Sequence, residues 1–240
     1  MKKIIVLVML MVLVSCQKNN NTKHLKIGVN AEYAPYEYLE GNEFVGFNIE
    51  LVKYLLEEAG YTYEFENMTF DGLIAALQSK KVDILIGISP TIDRQQVVDF
   101  TDNYSRDIQV ILKLSNNVSK LDINNLQNRK IGVLLGSIQE TILNTIPQVV
   151  PVLYNNYTGA ILDLRSQKID GVILSSITAK LQMEQNADLA ILGVVENEIN
   201  EGFAIAMNKG QEILKIELNE ALQVLESEGI IEQLKEKYHI

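Results

Sequence analysis

Two short segments of this chain have the residue types needed to bind an anion. Arg94 follows a predicted buried strand at the start of a predicted helix, where a planar guanidinium can hold a carboxylate through two parallel hydrogen bonds. Gly136 and Ser137 follow another predicted strand and precede a helix that begins near Gln139, so backbone N–H groups and the helix dipole favour an anion there. The alternatives are a solvated surface arginine and an ordinary N-cap serine.

A third segment, with Gly87 and Ser89, offers acceptors instead. It ends the strand predicted at 83–87, where a carbonyl and a hydroxyl can accept hydrogen bonds from an ammonium group; a simple turn before Pro90 is the alternative. Metal chemistry is not expected, because the two histidines lie near the chain ends and no Cys or His cluster exists. We therefore expect neither a metal nor a cofactor.

The first sixteen residues, MKKIIVLVMLMVLVSC, have the pattern of an export signal. Two lysines precede an apolar run at 4–14, which is too short for a permanent membrane span. Residues 13–16 resemble the bacterial lipobox, which predicts a signal peptide at 1–15 and a lipid on Cys16. A buried or free cysteine is the alternative. The polar residues that follow predict a flexible tether, so that 16–22 link the membrane to the folded part.

Composition limits the possible partners of the exported chain. Removal of 1–15 leaves about 225 residues, enough for one large domain or two lobes, and 47% of the whole chain is apolar. Loss of Lys2 and Lys3 takes the formal net charge from −10 to −12. A strongly acidic protein is a poor ligand for a phosphate backbone, so we expect no nucleic-acid partner.

Short apolar runs alternate with helical patterns from residue 25 onward, which predicts an α/β fold with largely parallel sheets. The predicted strands are 25–29, 61–66, 83–87, 130–134, 149–153, 171–174 and 203–207. Amphipathic helices are predicted within 49–59, 71–79, 157–166 and 212–225. Residues 70–86 and 157–173 are loosely alike, which favours two similar lobes with a ligand cleft between them.

Five ordered segments carry a family resemblance that spans nearly the whole exported chain. They are IGVNAEYAPY at 27–36, VGFNIEL at 45–51, GISPTIDR at 87–94, VDFTD at 98–102 and GVLLGS at 132–137. In this order and spacing they resemble the polar amino-acid solute-binding proteins of bacterial ABC importers, the family 3 periplasmic binding proteins.

The resemblance implies a periplasmic binding protein type II-like fold: two α/β lobes joined by two hinge strands, which close on a ligand. It implies lobe 1 at 23–108 and 204–240, and lobe 2 at 109–203. The expected function is non-enzymatic: a monomeric, lipid-anchored protein on the periplasmic side or the cell surface. It would capture a polar amino acid and deliver it to an ABC permease of the inner membrane.

The same resemblance implies roles for individual residues. Arg94 and the backbone N–H of Ile138 would hold the ligand carboxylate, with Ser137 as a cap or donor. Gly87 and Ser89 would accept from the α-ammonium, and the rings of Tyr33 and Phe70 would stack on the ligand side chain, although core packing alone also explains such aromatics.

Two departures from the family pattern bear on the ligand. Ser175 stands where the family usually has an aspartate against the α-ammonium, so either Glu32 or Glu201 substitutes or the amine is presented differently. Asn30 stands where members selective for basic amino acids often have an aspartate, which favours a neutral ligand such as glutamine without excluding a basic one.

Two other functions remain as alternatives. Some relatives of this fold are exported dehydratases of prephenate or arogenate, and such chemistry needs a cleft acid, for which Glu32 is the candidate. Against it, no paired carboxylates or histidine appear at the expected mouth. A surface adhesion lipoprotein with a degenerate pocket is the other alternative, supported only by Ser175.

Overall fold

The computed structural model describes residues 23–116, 121–197, 199 and 202–240. The predicted signal peptide, the lipidation of Cys16, the tether at 16–22 and the candidate Glu201 lie outside these residues. In the described part, no helix is long and apolar enough to cross a membrane.

The strands found are β1 (Lys23–Val29), β2 (Glu32–Tyr33), β3 (Glu37–Glu40), β4 (Glu43–Val45), β5 (Tyr61–Asn67), β6 (Ile84–Ile88), β7 (Val98–Phe100), β8 (Gln109–Leu114), β9 (Lys130–Leu134), β10 (Val150–Tyr154), β11 (Gly171–Ser175), β12 (Leu189–Val194) and β13 (Ala204–Asn208). The helices are α1 (Phe47–Glu58), α2 (Leu73–Gln78), α3 (Ile92–Val97), α4 (Ile138–Thr145), α5 (Tyr157–Arg165), α6 (Ser176–Gln185), α7 (Glu212–Ser227) and α8 (Ile230–Tyr238). A 3₁₀ turn, Phe70–Gly72, precedes α2.

Two five-stranded sheets organise these elements. The first has the order β5-β1-β6-β13-β7 and the second β10-β9-β11-β8-β12; we call the residues around them lobe 1 and lobe 2. In each sheet, the first strand of a β-α-β-α-β unit lies between the second and the third, and these three are parallel. The similarity of 70–86 to 157–173 thus corresponds to equivalent helix–strand pairs, α2–β6 and α5–β11.

The sheets are less parallel than the sequence predicts. β13 is antiparallel to β6 and β7, and β8 is antiparallel to β11 and β12. β8 and β13 each follow a segment that crosses between the lobes, and antiparallel pairing needs no helical crossover. The first segment is 101–108; the second lies between β12 and β13, and its described residues are 195–197, 199, 202 and 203. The two crossing segments touch through an antiparallel bridge between Ser105 and Phe203. The lobe boundaries at 108/109 and 203/204 lie at the ends of these segments and stay a prediction.

Each lobe has apolar layers on both faces of its sheet. In lobe 1, α1 and α7 cover one face and α2 the other. Helix α1 shows why this happens: its spaced apolar residues, such as Ile49 and Leu55, are fully buried, and burying one such side chain contributes about 1.5 to 3 kcal/mol. The helix ends before Gly60, whose positive φ of 75° reverses the chain into β5.

Candidate functional site

A cavity lies between the two lobes at the carboxyl ends of their central parallel strands. Its empty space, counting the open mouth, is about 420 Å³. The residues that line it are Asn30, Tyr33, Glu37, Phe70, Gly87, Ser89, Arg94, Leu134, Ser137, Ile138, Gln139, Tyr157 and Phe203. Parallel α/β sheets place ligand sites at this edge, because strand ends and helix N-termini meet there.

Arg94 spans the mouth of this cavity from lobe 1 to lobe 2. It lies in the first turn of α3, where Thr91 caps the helix by accepting from the Arg94 backbone N–H at 3.3 Å. Its Nη1 donates to the Ser89 carbonyl at 2.7 Å, and its Nη2 donates to the Gly136 carbonyl of lobe 2 at 2.8 Å. The guanidinium also lies over the ring of Phe70, 5.6 Å from its centroid.

The guanidinium of Arg94 is ionised in a desolvated place without a matching charge. Burial lowers its pKa to about 10. The ion pairs of the described residues include no acidic partner for it. Desolvated charges in proteins are normally paired, so this cation is suited to a ligand that brings its own anion.

On the lobe 1 wall, Gly87 and Glu37 form a tightly packed pair. Gly87 has φ of 65°, and a Cβ built there would overlap the Glu37 carboxylate. Glu37 is 4% exposed; its Oε1 accepts from Asn48 Nδ2 at 2.8 Å and its Oε2 from the Asn30 backbone N–H at 3.3 Å. Burial raises the pKa of the Glu37 carboxyl to about 8, although these two donors lower it.

Aromatic rings form one wall of the cavity and join the lobes. Tyr33 of lobe 1 stacks on Tyr157 of lobe 2 with 5.9 Å between centroids, and on Tyr36 with 5.0 Å. Phe203, in the second crossing segment, meets Tyr33 edge-on at 6.3 Å. Such a wall gives a large apolar contact area for a ligand's methylene groups at small entropic cost.

The lobe 2 side of the cavity is the N-terminus of α4. Ser137 is its N-cap and accepts from the Glu140 backbone N–H at 3.3 Å. The Glu140 carboxylate in turn accepts from the Gly136 N–H at 2.7 Å, which completes a reciprocal cap. Ile138 and Gln139 begin the helix at the cavity, and their exposed fractions are only 5% each. This agrees with the predicted N-cap.

Eight of the ten predicted ligand-binding residues line the cavity together: Asn30, Tyr33, Phe70, Gly87, Ser89, Arg94, Ser137 and Ile138. The other two, Glu32 and Ser175, are not in the lining. Glu32 is exposed in β2. Ser175 is fully buried as the N-cap of α6, with its Oγ donating to Thr178 Oγ1 at 3.0 Å and accepting from the Thr178 N–H at 3.1 Å. Whether any of the ten contacts a ligand stays a prediction.

Five lining residues were not predicted from the sequence: Glu37, Leu134, Gln139, Tyr157 and Phe203. Glu37 follows the motif that contains Tyr33 and Tyr36, and a glutamate in an apolar run could have marked it. Gln139 follows Ile138 directly. Tyr157 and Phe203 had no comparable signal, because the tertiary structure alone brings them to Tyr33.

The site has the chemistry of a binder of small zwitterions. It offers one cation, one buried carboxyl group, backbone carbonyls, a helix N-terminus and an aromatic wall. Among the described residues, no group of three or more His, Cys, Asp or Glu side chains is placed to hold a metal ion. Two α/β lobes that enclose such a cavity define a class, the bilobed ligand-binding proteins.

Comparison with known proteins gives the family. The sequence profile of the "Bacterial extracellular solute-binding proteins, family 3" matches residues 25–240, and the chain belongs to this family. It is similar to the arginine-binding extracellular protein ArtP of Bacillus subtilis, with 33% identity over 237 residues, covering 94% of this chain and 92% of the relative.

Two further similarities agree. A probable histidine-binding protein of Campylobacter jejuni is 32% identical over 224 residues, covering 92% of this chain and 87% of that protein. The solved structure of an ancestral arginine-binding protein bound to arginine has a TM-score of 0.83 and 32% identity, covering 90% of this chain and 97% of that structure.

These findings confirm the type II-like fold and the family inferred from the sequence motifs. The chain is a polar amino-acid solute-binding protein of the ABC-importer type, and it is a binding protein and not an enzyme.

Proposed function

We propose that this protein captures a basic amino acid, with arginine the first choice, and delivers it to an ABC permease. In this proposal a lipid on Cys16 anchors the chain outside the cytoplasm. The observation that carries the proposal is Arg94: a guanidinium at the cavity, held by carbonyls of both lobes and without an acidic partner among the described residues. An α-carboxylate is the anion that fits its fork.

The buried carboxyl group of Glu37 favours a cationic side chain over a neutral one. Asn30 had favoured a neutral ligand, but Glu37 lines the same cavity and accepts from the Asn30 backbone N–H. The Asn30 amide is engaged with the Met68 carbonyl through Nδ2 at 3.0 Å. Arg94 would pair with the α-carboxylate of a basic amino acid, and the side-chain cation beside Glu37 would favour the ionised form of that carboxyl and pair with it. The names of the relatives, which bind arginine and histidine, support this choice.

Binding to a panel of amino acids tests the proposal. The mature chain, freed of co-purified ligand, is titrated calorimetrically with the twenty amino acids, ornithine and citrulline. Citrulline is the matched control, since it has nearly the shape of arginine without the charge. We expect arginine to bind at least ten times more tightly than citrulline. Equal affinity for the two would contradict the basic class, and no binding at all would contradict an amino-acid ligand.

A further inference from the structure

A zwitterionic ligand needs a negative group opposite the cation that holds its carboxylate. Ser175, at the end of β11, is where the family resemblance leads us to expect that group, but its side chain is neutral and is used to cap α6. Glu32 is exposed and outside the cavity lining. A replacement that serves the same part of the ligand must lie in the elements that pack beside Ser175.

Asp107 lies close to this position, in the crossing segment just before the neighbouring strand β8. Ser175 pairs with Gln109 in the antiparallel ladder of β11 and β8, and Asp107 is two residues before Gln109. The backbone N–H of Ser176 donates to the carbonyl of the intervening Ile108 at 2.7 Å. The hydroxyl of Ser175 lies beside the hydroxyls of Tyr33 and Tyr36, which are also partners of Asp107.

The Asp107 carboxylate is connected to the cavity wall on two sides. Tyr33 donates to its Oδ2 at 3.4 Å and Tyr36 to its Oδ1 at 3.5 Å. Gln109 donates to Oδ2 at 3.2 Å and accepts from Gln139 at 2.8 Å. Tyr33 and Gln139 both line the cavity. One carboxylate thus lies directly behind Tyr33 of lobe 1 and is linked through Gln109 to Gln139 of lobe 2.

We propose that Asp107 is the negative group that positions the α-ammonium of the ligand, a role transferred from position 175 to the segment that leads into the adjacent strand β8. This inference rests on the proposed amino-acid ligand and concerns its α-amino end. Asp107 acts here as a positioning residue: it orients Tyr33 and, through Gln109, Gln139, and it places a negative charge behind them. Burial raises the pKa of the Asp107 carboxyl to about 7. A ligand ammonium would favour the ionised form, whose charge acts strongly in desolvated surroundings.

A comparison of two ligands on two variants tests the role of Asp107. The ligands are arginine and 5-guanidinopentanoic acid, which is arginine without the α-amino group. Asp107→Asn should weaken arginine binding at least tenfold and leave the binding of the desamino acid within about twofold. Asp102→Asn, the same change at an exposed residue of the same crossing segment, is the control and should change neither constant. A merely structural role of Asp107 would weaken both ligands equally, and that outcome would overturn the inference.

Moving the charge back gives a second, independent readout. The double variant Asp107→Ser with Ser175→Asp should recover most of the arginine affinity that Asp107→Ser loses. Ser175→Asp alone should not tighten arginine binding, because two adjacent carboxylates cannot both stay ionised without cost. A tenfold gain from Ser175→Asp alone would show that the ammonium lacks a partner and would overturn the inference, even if Asp107→Asn fails to fold. A different result would separate the two proposals. If the wild-type protein binds citrulline and arginine equally and Asp107→Asn binds neither, only the basic ligand class is contradicted.

Discussion

Single side chains decide what this cavity can hold, and Arg94 is the first of them. Its five N–H donors form a fork that two carbonyls already occupy in part, at Ser89 and Gly136. Because these carbonyls are neutral, the charge of the guanidinium is left for a ligand. A carboxylate that arrives in the cleft gains a charge-assisted bidentate contact that water cannot match.

Replacement of Arg94 should abolish binding while the fold persists. Arg94→Ala is expected to weaken ligand affinity by about 3 kcal/mol or more, roughly a hundredfold, because a desolvated charge pair is lost. Arg94→Lys should recover only part of this, since an ammonium lacks the planar fork. Calorimetric titration measures the loss, and Arg165→Ala, which removes an exposed ion pair with Asp188 in lobe 2, is the control. An unchanged dissociation constant would remove Arg94 from the site.

Glu37 is the second decisive side chain, because burial makes its charge expensive in the empty protein. Its folded-state pKa of about 8 lies above the ordinary value of 4.5. The proton therefore favours the folded state. Its contribution to stability is complete below about pH 4.5 and is lost as the pH rises toward 8.

The free energy of unfolding of the empty protein should therefore fall between about pH 5 and pH 8. We expect Glu37→Gln to flatten this slope and to remove about 1 to 3 kcal/mol of the pH-dependent change, since an amide does not ionise. Urea denaturation at several pH values measures it. Glu43→Gln, an exposed glutamate of β4, should keep the wild-type slope; an identical slope in Glu37→Gln would contradict the assignment.

At the scale of elements, the site is formed by the ends of strands and helices. These are the carboxyl ends of β1, β6 and β9 and the N-termini of α3 and α4. Gly87, within β6, shows how tightly these ends are packed. Its positive φ would strain any other residue at this position, and the Glu37 carboxylate fills the space that a side chain would need. Strand β6 can pass close to Glu37 only because Gly87 has no Cβ.

Gly87→Ala should therefore cost more than an equally strained glycine elsewhere. Gly60 has a similar φ of 75°, but nothing lies within 4 Å of a Cβ built there. Gly60→Ala measures backbone strain alone, about 1 to 2 kcal/mol. We expect Gly87→Ala to exceed it by at least about 1 kcal/mol, because the overlap with Glu37 adds a steric cost. Thermal and urea unfolding give both values; equal losses would refute the tight packing.

A comparison of two N-cap residues tests whether Ser137 only stabilises helix α4 or also binds the ligand. Asn156 caps α5 in the same way, accepting from the Gly159 N–H at 2.9 Å, but it is not in the cavity lining. Ser137→Ala and Asn156→Ala should each destabilise the protein by about 1 kcal/mol. Only Ser137→Ala should also weaken ligand binding, several-fold, in a calorimetric titration. Matching affinities in the two variants would make Ser137 an ordinary cap.

At the scale of the whole molecule, the two lobes touch across the cleft at several places. Arg94 reaches Gly136, and Thr178 donates to the Ala34 carbonyl at 3.0 Å. Tyr33 packs against the cores of both lobes. A protein with these contacts holds its cavity nearly closed, so a ligand must enter while the lobes are apart. The hinge motion expected from the family stays a prediction.

Membrane attachment is also a property of the whole chain. We expect the protein expressed in a bacterial host to fractionate with membranes, and Cys16→Ser to be released into the soluble extracytoplasmic fraction, because the lipid on Cys16 is the predicted anchor. Mass spectrometry should find the wild-type chain shortened by residues 1–15 and carrying lipid at Cys16. Equal fractionation of the two proteins would contradict the predicted anchor, while ligand affinity should be the same in both.

The sequence could predict whatever depends on local pattern. Each of the seven predicted strands exists within one or two residues of its expected ends, because short apolar runs between turn residues are a strong signal. The N-cap at Ser137 and the stop at Gly60 also follow from local chemistry. Six strands escaped prediction: β2, β3, β4, β7, β8 and β12. The first four have only two to four residues each, and β8 and β12 lie outside the parallel strand–helix units.

The sequence by itself determined the family, the α/β class and most of the cavity, since ordered motifs mark the ends of strands where ligands bind. Only the tertiary structure decided how charge is arranged there. It buried Glu37 against Gly87, exposed Glu32, and placed Asp107 beside Ser175 through a strand pairing between residues far apart in the chain. Such pairings depend on the packing of whole sheets, because the cost of burying a charge is set by every neighbour that displaces water.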